Sequence, residues 1–110
     1  MKQPVTIDEC MEALSERLGI EKQAEFLRMP KDDLIRCHHG LGQWMRNNWG
    51  LWQGSPLRDV MLTMGFAHAD DMSQALIEEY WNRLNNHPSE LKDRAKDSIE
   101  FWKKKGPHET

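Results

Sequence analysis

The chain has 110 residues, of which 38% are hydrophobic and 30% are charged, as is usual for one globular domain. Its net charge of -3 at pH 7 excludes a basic nucleic-acid coat and a strongly self-repelling disordered chain. No apolar run approaches the roughly 20 residues that cross a bilayer, and the N-terminus lacks the layout of a signal peptide. We therefore expect a soluble cytoplasmic protein without membrane contact, folded as a single domain over residues 1–106 with a frayed tail at 107–110.

Apolar residues recur at spacings of three and four along most of the chain, and no stretch alternates as a strand would. The fold class predicted is therefore all-α, a compact bundle of five or six helices. Thr6 and Glu9 form a capping box that begins a helix over about residues 7–18. Gly19 is expected to end that helix, and a short second segment follows over about 21–28.

The central element of the predicted bundle is a Trp-rich helix from Leu34 to Trp49. Its apolar spacing gives it one face that packs inward, and the N-terminal and C-terminal helices are expected to pack around it. Gly40 and Gly42 lie inside this helix at a cost of roughly 1 kcal/mol each relative to alanine. They indicate either a close approach by another element or a kink.

Three further helices are predicted after a short Trp-bearing loop. Ser55 is a good N-cap for a helix that ends at Gly65. Asp70 or Asp71 is expected to cap the next helix, which runs to about Asn85. The last helix is amphipathic, and its apolar stripe consists of Leu91, Ala95, Ile99 and Trp102.

Three of the five tryptophans fall within nine positions, at Trp44, Trp49 and Trp52. The structural interpretation places Trp44 and Trp49 in the core, because indoles supply large buried area. The functional interpretation places Arg46, Asn47 and Trp52 on an exposed shoulder, where they form an anchor of the composition enriched in binding hot spots. It predicts that alanine at Arg46 or Trp52 abolishes partner capture and leaves the melting temperature nearly unchanged.

Two segments carry a resemblance to a known family. Residues 44–52 read WMRNNWGLW and residues 65–73 read GFAHADDMS. They resemble the W-I-R-N-N-W-G-L-W and G-I-x-H-P-D-D-M-S blocks of an uncharacterised bacterial domain family of unknown function. The chain departs from those blocks at Met45, Phe66 and Ala69. The resemblance spans roughly Thr6 to Leu84, and it implies a helical fold with no activity or catalytic residues to carry over.

A second hypothesis is small-ligand binding or catalysis. Arg46 would hold an anionic group, while His39 and Asp70 transfer a proton or recognise the ligand. His38 and His39 have no ligand-type residue three or four positions away on the same helix face, as a helical metal site requires, so no metal or other cofactor is predicted. Asp70 and Asp71 are equally suited to the positive end of a helix, which is the simpler interpretation of both.

A third hypothesis, nucleic-acid binding through the last helix, is disfavoured because acidic residues interleave with its lysines and nearly cancel the charge. Residues 67–88 are the most acidic part of the chain, and Glu79 and Arg83 are placed there for an i, i+4 pair on a solvated face. Cys10 and Cys37 lie at apolar helical positions, which predicts reduced core thiols rather than nucleophiles.

The sequence therefore favours a non-enzymatic protein-protein interaction module of a bacterium, phage or mobile element. Its partner is an unidentified protein, and a second copy of the chain in a homodimer is the alternative. The predicted binding surface consists of His39, Arg46, Asn47, Trp52, Asp70 and Asp71.

Overall fold

The computed structural model describes residues 3–105, and every regular element in that range is helical, which confirms the all-α fold. Between the first two α-helices the chain forms a 3-10 helix over Lys31–Cys37 and a π-helical stretch over His38–Gly42. The predicted tail at 107–110 lies outside the described residues. The α-helices are α1 (Ile7–Arg28), α2 (Gln43–Asn48), α3 (Pro56–Met64), α4 (Ala69–Leu84) and α5 (Leu91–Lys105).

The first two predicted helices form one kinked element. The capping box is confirmed: the Thr6 hydroxyl accepts a hydrogen bond from the Glu9 backbone N–H at 3.1 Å, and the Glu9 carboxylate accepts one from the Thr6 N–H at 3.2 Å. Gly19 has a φ of 77° and interrupts the helical conformation where the break is predicted. The two halves remain close enough in direction to form α1, so the predicted break is a kink rather than a loop.

The long central helix predicted from Leu34 to Trp49 is wrong, since the chain there passes through 3-10, π and α geometry in turn. Both Gly40 and Gly42 fall in the π-helical stretch, a rare geometry that occurs mostly as a local bulge inside helices. A Cβ at the buried Gly42 would lie 3.0 Å from Arg46 Nη1 and 3.3 Å from the Cys37 carbonyl oxygen. Both glycines therefore lie in the distorted stretch, but close approach occurs only at Gly42, since no heavy atom lies within 4 Å of a Cβ built at Gly40.

The element at the centre of the bundle is α4, not the Trp-rich segment. It contacts α1, α2, α3, α5 and both non-α helical stretches. Ten of its sixteen residues are buried, as expected for a helix that is packed on most of its circumference. Ser73, Glu79 and Asn82 are among them, and these polar residues make α4 look one-sided in the sequence. The Trp-rich segment packs against one side of this helix.

The acidic part of α4 differs from its prediction in two respects. His68 is the N-cap, and Asp70 and Asp71 lie in the first turn, where their charges still face the positive end of the helix. Glu79 is only 3% exposed, so the solvated face predicted for it is wrong. The predicted ion pair is confirmed, with Arg83 Nε 2.8 Å from Glu79 Oε2.

Helix α5 is held on α4 largely by polar contacts. Leu91 and Ala95 are buried as predicted, but Ile99 is 48% exposed and Trp102 is half-buried, so the apolar stripe is covered only over its first half. Just before the helix, the Glu90 carboxylate accepts hydrogen bonds from Lys31 Nζ and Asn82 Nδ2.

The Glu90 contacts make a prediction about acid stability. Hydrogen bonds from Lys31 and Asn82 hold the Glu90 pKa below its ordinary value. The resulting stabilisation is complete above the unfolded-state pKa of about 4.5 and is lost as the pH falls through the lower folded-state pKa. We therefore expect Glu90→Gln to be less stable than wild type near neutral pH, with the difference in the free energy of unfolding shrinking below about pH 4.5.

Urea unfolding of both proteins, followed by circular dichroism at several pH values on either side of that pKa, measures the difference. Glu25→Gln is the matched control, because Glu25 is exposed on α1 and its replacement should leave the pH profile of wild type unchanged. A difference between wild type and Glu90→Gln that stays constant into acid would contradict the prediction.

Candidate functional site

The loop between α2 and α3 presents Trp52 to solvent. Its indole is 54% exposed, whereas Trp49 is buried and Trp44 is half-buried. The structural interpretation of Trp44 and Trp49 is confirmed. Their rings contact edge to face with 5.6 Å between centroids, and the Arg17 guanidinium carbon lies 4.1 Å from the centroid of the Trp44 ring. Of the three clustered tryptophans, Trp52 is therefore the one available to another molecule.

The loop that carries Trp52 is tightly closed. The Gly54 N–H donates to the Gly50 carbonyl oxygen at 2.9 Å, and both glycines have positive φ values, 68° at Gly50 and 117° at Gly54. The Ser55 hydroxyl donates to the Trp49 carbonyl at 2.9 Å and also accepts from the Arg58 N–H, so the predicted cap of α3 is confirmed. These internal bonds hold the backbone of the loop that carries the exposed indole in one conformation.

The same loop is joined to the last turn of α2. The Leu51 N–H donates to the Arg46 carbonyl at 3.3 Å. Asn47 follows Arg46 in the chain and Trp52 follows Leu51, so both exposed side chains leave the backbone beside that hydrogen bond. We call Asn47 and Trp52 the Trp52 surface.

The structure contradicts the predicted exposure of Arg46, whose side chain is only 5% exposed. Its Nη1 donates to Ser73 Oγ at 2.8 Å, and its Nη2 donates to the His38 carbonyl at 3.1 Å. Its Nε lies 3.4 Å from Asp70 Oδ1 and makes no hydrogen bond within residues 3–105. The absence of a side chain at Gly42 leaves the space that the guanidinium fills, since a Cβ there would lie 3.0 Å from Nη1. Arg46 therefore ties α2 to α4 instead of facing a partner.

The second hypothesis is only partly matched by the geometry. Arg46 and Asp70 do meet, but the imidazole beside them is His38: its Nδ1 lies 3.5 Å from Arg46 Nη1 and its Nε2 lies 3.9 Å from Asp70 Oδ1. His39 is exposed and contacts the edge of the His38 ring at 5.0 Å. Sequence reasoning also missed Ser73, although its position three residues after Asp70 puts both on the face of α4 toward Arg46.

This cluster supports the junction of α2 and α4. Asp70 is half exposed, and its carboxylate offsets the Arg46 charge. His38 Nε2 lies 3.9 Å from Asp70 Oδ1, which is beyond direct hydrogen-bond distance. Among residues 3–105, no three His, Cys, Asp or Glu side chains converge as a metal ion would require.

Asp71 contributes to the packing of α5. Its Oδ2 accepts hydrogen bonds from the Ser98 hydroxyl and the Trp102 indole N–H, each at 2.8 Å. The Trp102 ring in turn stacks on the His68 imidazole at 3.6 Å between centroids. The predicted binding residue Asp71 is thus engaged within the chain, on a different face from the Trp52 surface.

Both cysteines are free thiols. Burial raises the pKa of Cys10 to about 12 and also raises the pKa of the half-buried Cys37. A thiol with a raised pKa is a poor nucleophile near neutral pH. The two side chains are therefore core thiols, as the sequence predicts.

Comparison with known proteins gives one match. A family model for DUF6794, a domain of unknown function, covers residues 3–84 of the chain. The chain belongs to the DUF6794 family. No curated protein and no solved structure matches the chain.

The DUF6794 match agrees with the resemblance seen in the sequence, because both end at Leu84. It therefore includes α1 to α4 and the Trp52 surface, whereas α5 lies beyond the matched residues. In the described part of the chain, no helix is both long and apolar enough to span a membrane.

Proposed function

We propose that this DUF6794 chain is a non-enzymatic protein-interaction module whose main contact residue is Trp52, with Asn47 beside it. The observation that carries the proposal is an indole more than half exposed on a closed loop. An exposed indole offers a large apolar contact area, and tryptophan is among the side chains most enriched in binding hot spots. The loop geometry favours binding further, because a loop backbone that is already ordered loses little entropy on association.

The composition of the Trp52 surface indicates the character of its partner site. An indole buries about 150–250 Å² and fills an apolar pocket, while an amide such as that of Asn47 makes hydrogen bonds at the polar rim. We therefore infer a protein partner with an apolar pocket rather than a small charged ligand. The two free thiols are consistent with a reducing cytoplasm, and we place the module in the cytoplasm of a bacterium or of a phage or mobile element that infects one.

Replacing Trp52 tests this function directly. Trp52→Ala is expected to weaken partner binding about 30-fold, which corresponds to a hot-spot contribution of about 2 kcal/mol. The melting temperature should stay nearly unchanged, because the side chain is mostly in solvent. Partners are captured from native cells on the tagged wild-type protein and identified by mass spectrometry. Each purified partner is then titrated against wild type and against Trp52→Ala.

Ile20→Ala is the matched control, since Ile20 is a large apolar side chain exposed on α1. Partner binding by that variant should equal that of wild type. Equal retention of every protein by wild type and Trp52→Ala would disprove the proposal. If the retained protein is the chain itself, and Trp52→Ala alone is monomeric, the partner is a second copy.

A further inference from the structure

The side of α4 that faces α5 has more acceptor groups than α5 satisfies. Asp71 accepts only from the neutral Ser98 and Trp102 donors, and no described Lys or Arg side chain lies within ion-pair distance of it. Gln74 Oε1 and Asn82 Oδ1 are buried, and neither has a hydrogen-bond partner within residues 3–105. Buried acceptors without donors are unfavourable, so this surface is incompletely matched by its present neighbour.

The same interface is incompletely filled. A cleft of about 310 Å³ remains between α4 and α5, with Phe66 and Ala75 on its apolar side and Asp71 and Glu78 on its acidic side. Glu78 is the one of these carboxylates that α5 pairs with a cation, through Arg94 Nε at 2.6 Å. We call this side of α4, with Phe66, the α4 groove.

Helix α5 is held in the groove mainly by polar contacts. Its buried apolar side chains are Leu91 and Ala95, both in its first half, while Ile99 and Phe101 are each about half exposed. It follows a six-residue connection over 85–90, and it lies beyond the residues that the DUF6794 family shares. A terminal helix with few buried apolar contacts is the type of element that opens without global unfolding.

We propose that the α4 groove is a binding site for a basic amphipathic helix of another protein, and that α5 occupies the groove until such a helix displaces it. The charge of the groove defines the partner helix, which carries two Lys or Arg residues. The first pairs with Glu78, as Arg94 of α5 does in the structure. The second pairs with Asp71, which receives a hydrogen bond from the neutral Ser98 of α5. These two cations are four residues apart on the partner helix, and a large apolar side chain enters the cleft beside Phe66. The site is independent of the Trp52 surface, so either proposal stands or fails alone.

Native-state hydrogen exchange on the full chain tests whether α5 opens by itself. We expect the amides of α5 to exchange at least about tenfold faster than the buried amides of α4, with α1 and α4 remaining protected. Equal protection of α4 and α5 would overturn the proposal, since α5 would then leave the groove only when the whole domain unfolds.

A labelled helix tests the chemistry of the groove. The probe is a fluorescein-labelled peptide with the sequence of residues 89–105, and its Ser98→Lys form supplies the missing cation. Ala95→Glu in the full chain places a charge on the buried side of α5, where Ala95 lies beside Gly65, and weakens the competing α5. By fluorescence anisotropy we expect the Ser98→Lys peptide to bind Ala95→Glu at least about tenfold more tightly than it binds wild type.

The advantage of the Ser98→Lys peptide over the unmodified peptide should disappear when Asp71→Asn is added to Ala95→Glu, because its cation then has no carboxylate to pair with. Lys96→Glu is the matched control for Ala95→Glu, since Lys96 is the exposed neighbour, and that variant should bind the peptide as wild type does. Equal binding of both peptides by Ala95→Glu would overturn the proposed preference for a second cation. Equal binding by wild type and Ala95→Glu, with the latter shown to be folded, would overturn the occupancy of the groove by α5.

Discussion

Arg46→Ala is expected to lower the free energy of unfolding by about 3 kcal/mol. The substitution removes the donors to Ser73 Oγ and the His38 carbonyl, leaves a void at the junction of α2 and α4, and deprives Asp70 of its cation. For a domain of this size the melting temperature should fall by roughly 12–24 °C. Thermal unfolding and urea unfolding, both followed by circular dichroism, measure the change.

Two variants separate the role of the guanidinium from that of charge or position. Arg46→Lys keeps a cation near Asp70 but lacks the planar fork that reaches Ser73 and His38 together, so we expect an intermediate loss of stability. Asn47→Ala changes the exposed neighbour and should stay within about 0.5 kcal/mol of wild type. An Arg46→Ala protein as stable as wild type would contradict the buried cluster and restore the surface interpretation of this residue.

The second large effect is expected at Gly50, where Gly50→Ala should lower the free energy of unfolding by about 3 kcal/mol. A left-handed φ of 68° costs an alanine about 1–2 kcal/mol. The new Cβ would also lie 2.8 Å from Ser55 Cβ and 3.0 Å from the Gly54 carbonyl oxygen, and overpacking of this kind costs about 1–3 kcal/mol. Urea unfolding measures the loss.

Gly54→Ala is the comparison variant for Gly50→Ala. Gly54 also has a positive φ, 117°, but no heavy atom lies within 4 Å of a Cβ built there. Its replacement therefore introduces backbone strain without the clash, so its loss in the free energy of unfolding reports strain alone. A loss in Gly50→Ala of only about 1–2 kcal/mol, the cost of the left-handed φ, would show that strain and not the contact with Ser55 limits residue 50 to glycine.

Signals that act over a few residues were predicted correctly from the sequence. The capping box at Thr6, the cap at Ser55 and the break at Gly19 each depend on hydrogen bonds or φ values within one turn. The apolar spacing likewise gave the helical class and most of the buried positions. Such features depend little on which other element packs nearby, so they can be recognised in a sequence without the structure.

The features missed in the sequence depend on residues far apart in the chain. Arg46 points inward because Gly42 leaves space one turn earlier and Ser73 supplies an acceptor from α4. The central position of α4 was hidden by polar residues such as Glu79, which is buried with a cation beside it. Helical periodicity treats each such residue as a solvent-facing position, and only its tertiary partner shows otherwise.

Arg46 links the core to the Trp52 surface through two different parts of one residue. Its side chain binds Ser73 on α4, while its carbonyl receives the Leu51 N–H of the loop. In a mutational scan scored by partner capture in cells, substitutions at Arg46 and at Trp52 would therefore give the same loss of signal for different reasons. Scoring protein abundance in parallel separates them: Arg46 variants are degraded before they meet the partner, whereas Trp52 variants accumulate normally and fail to bind.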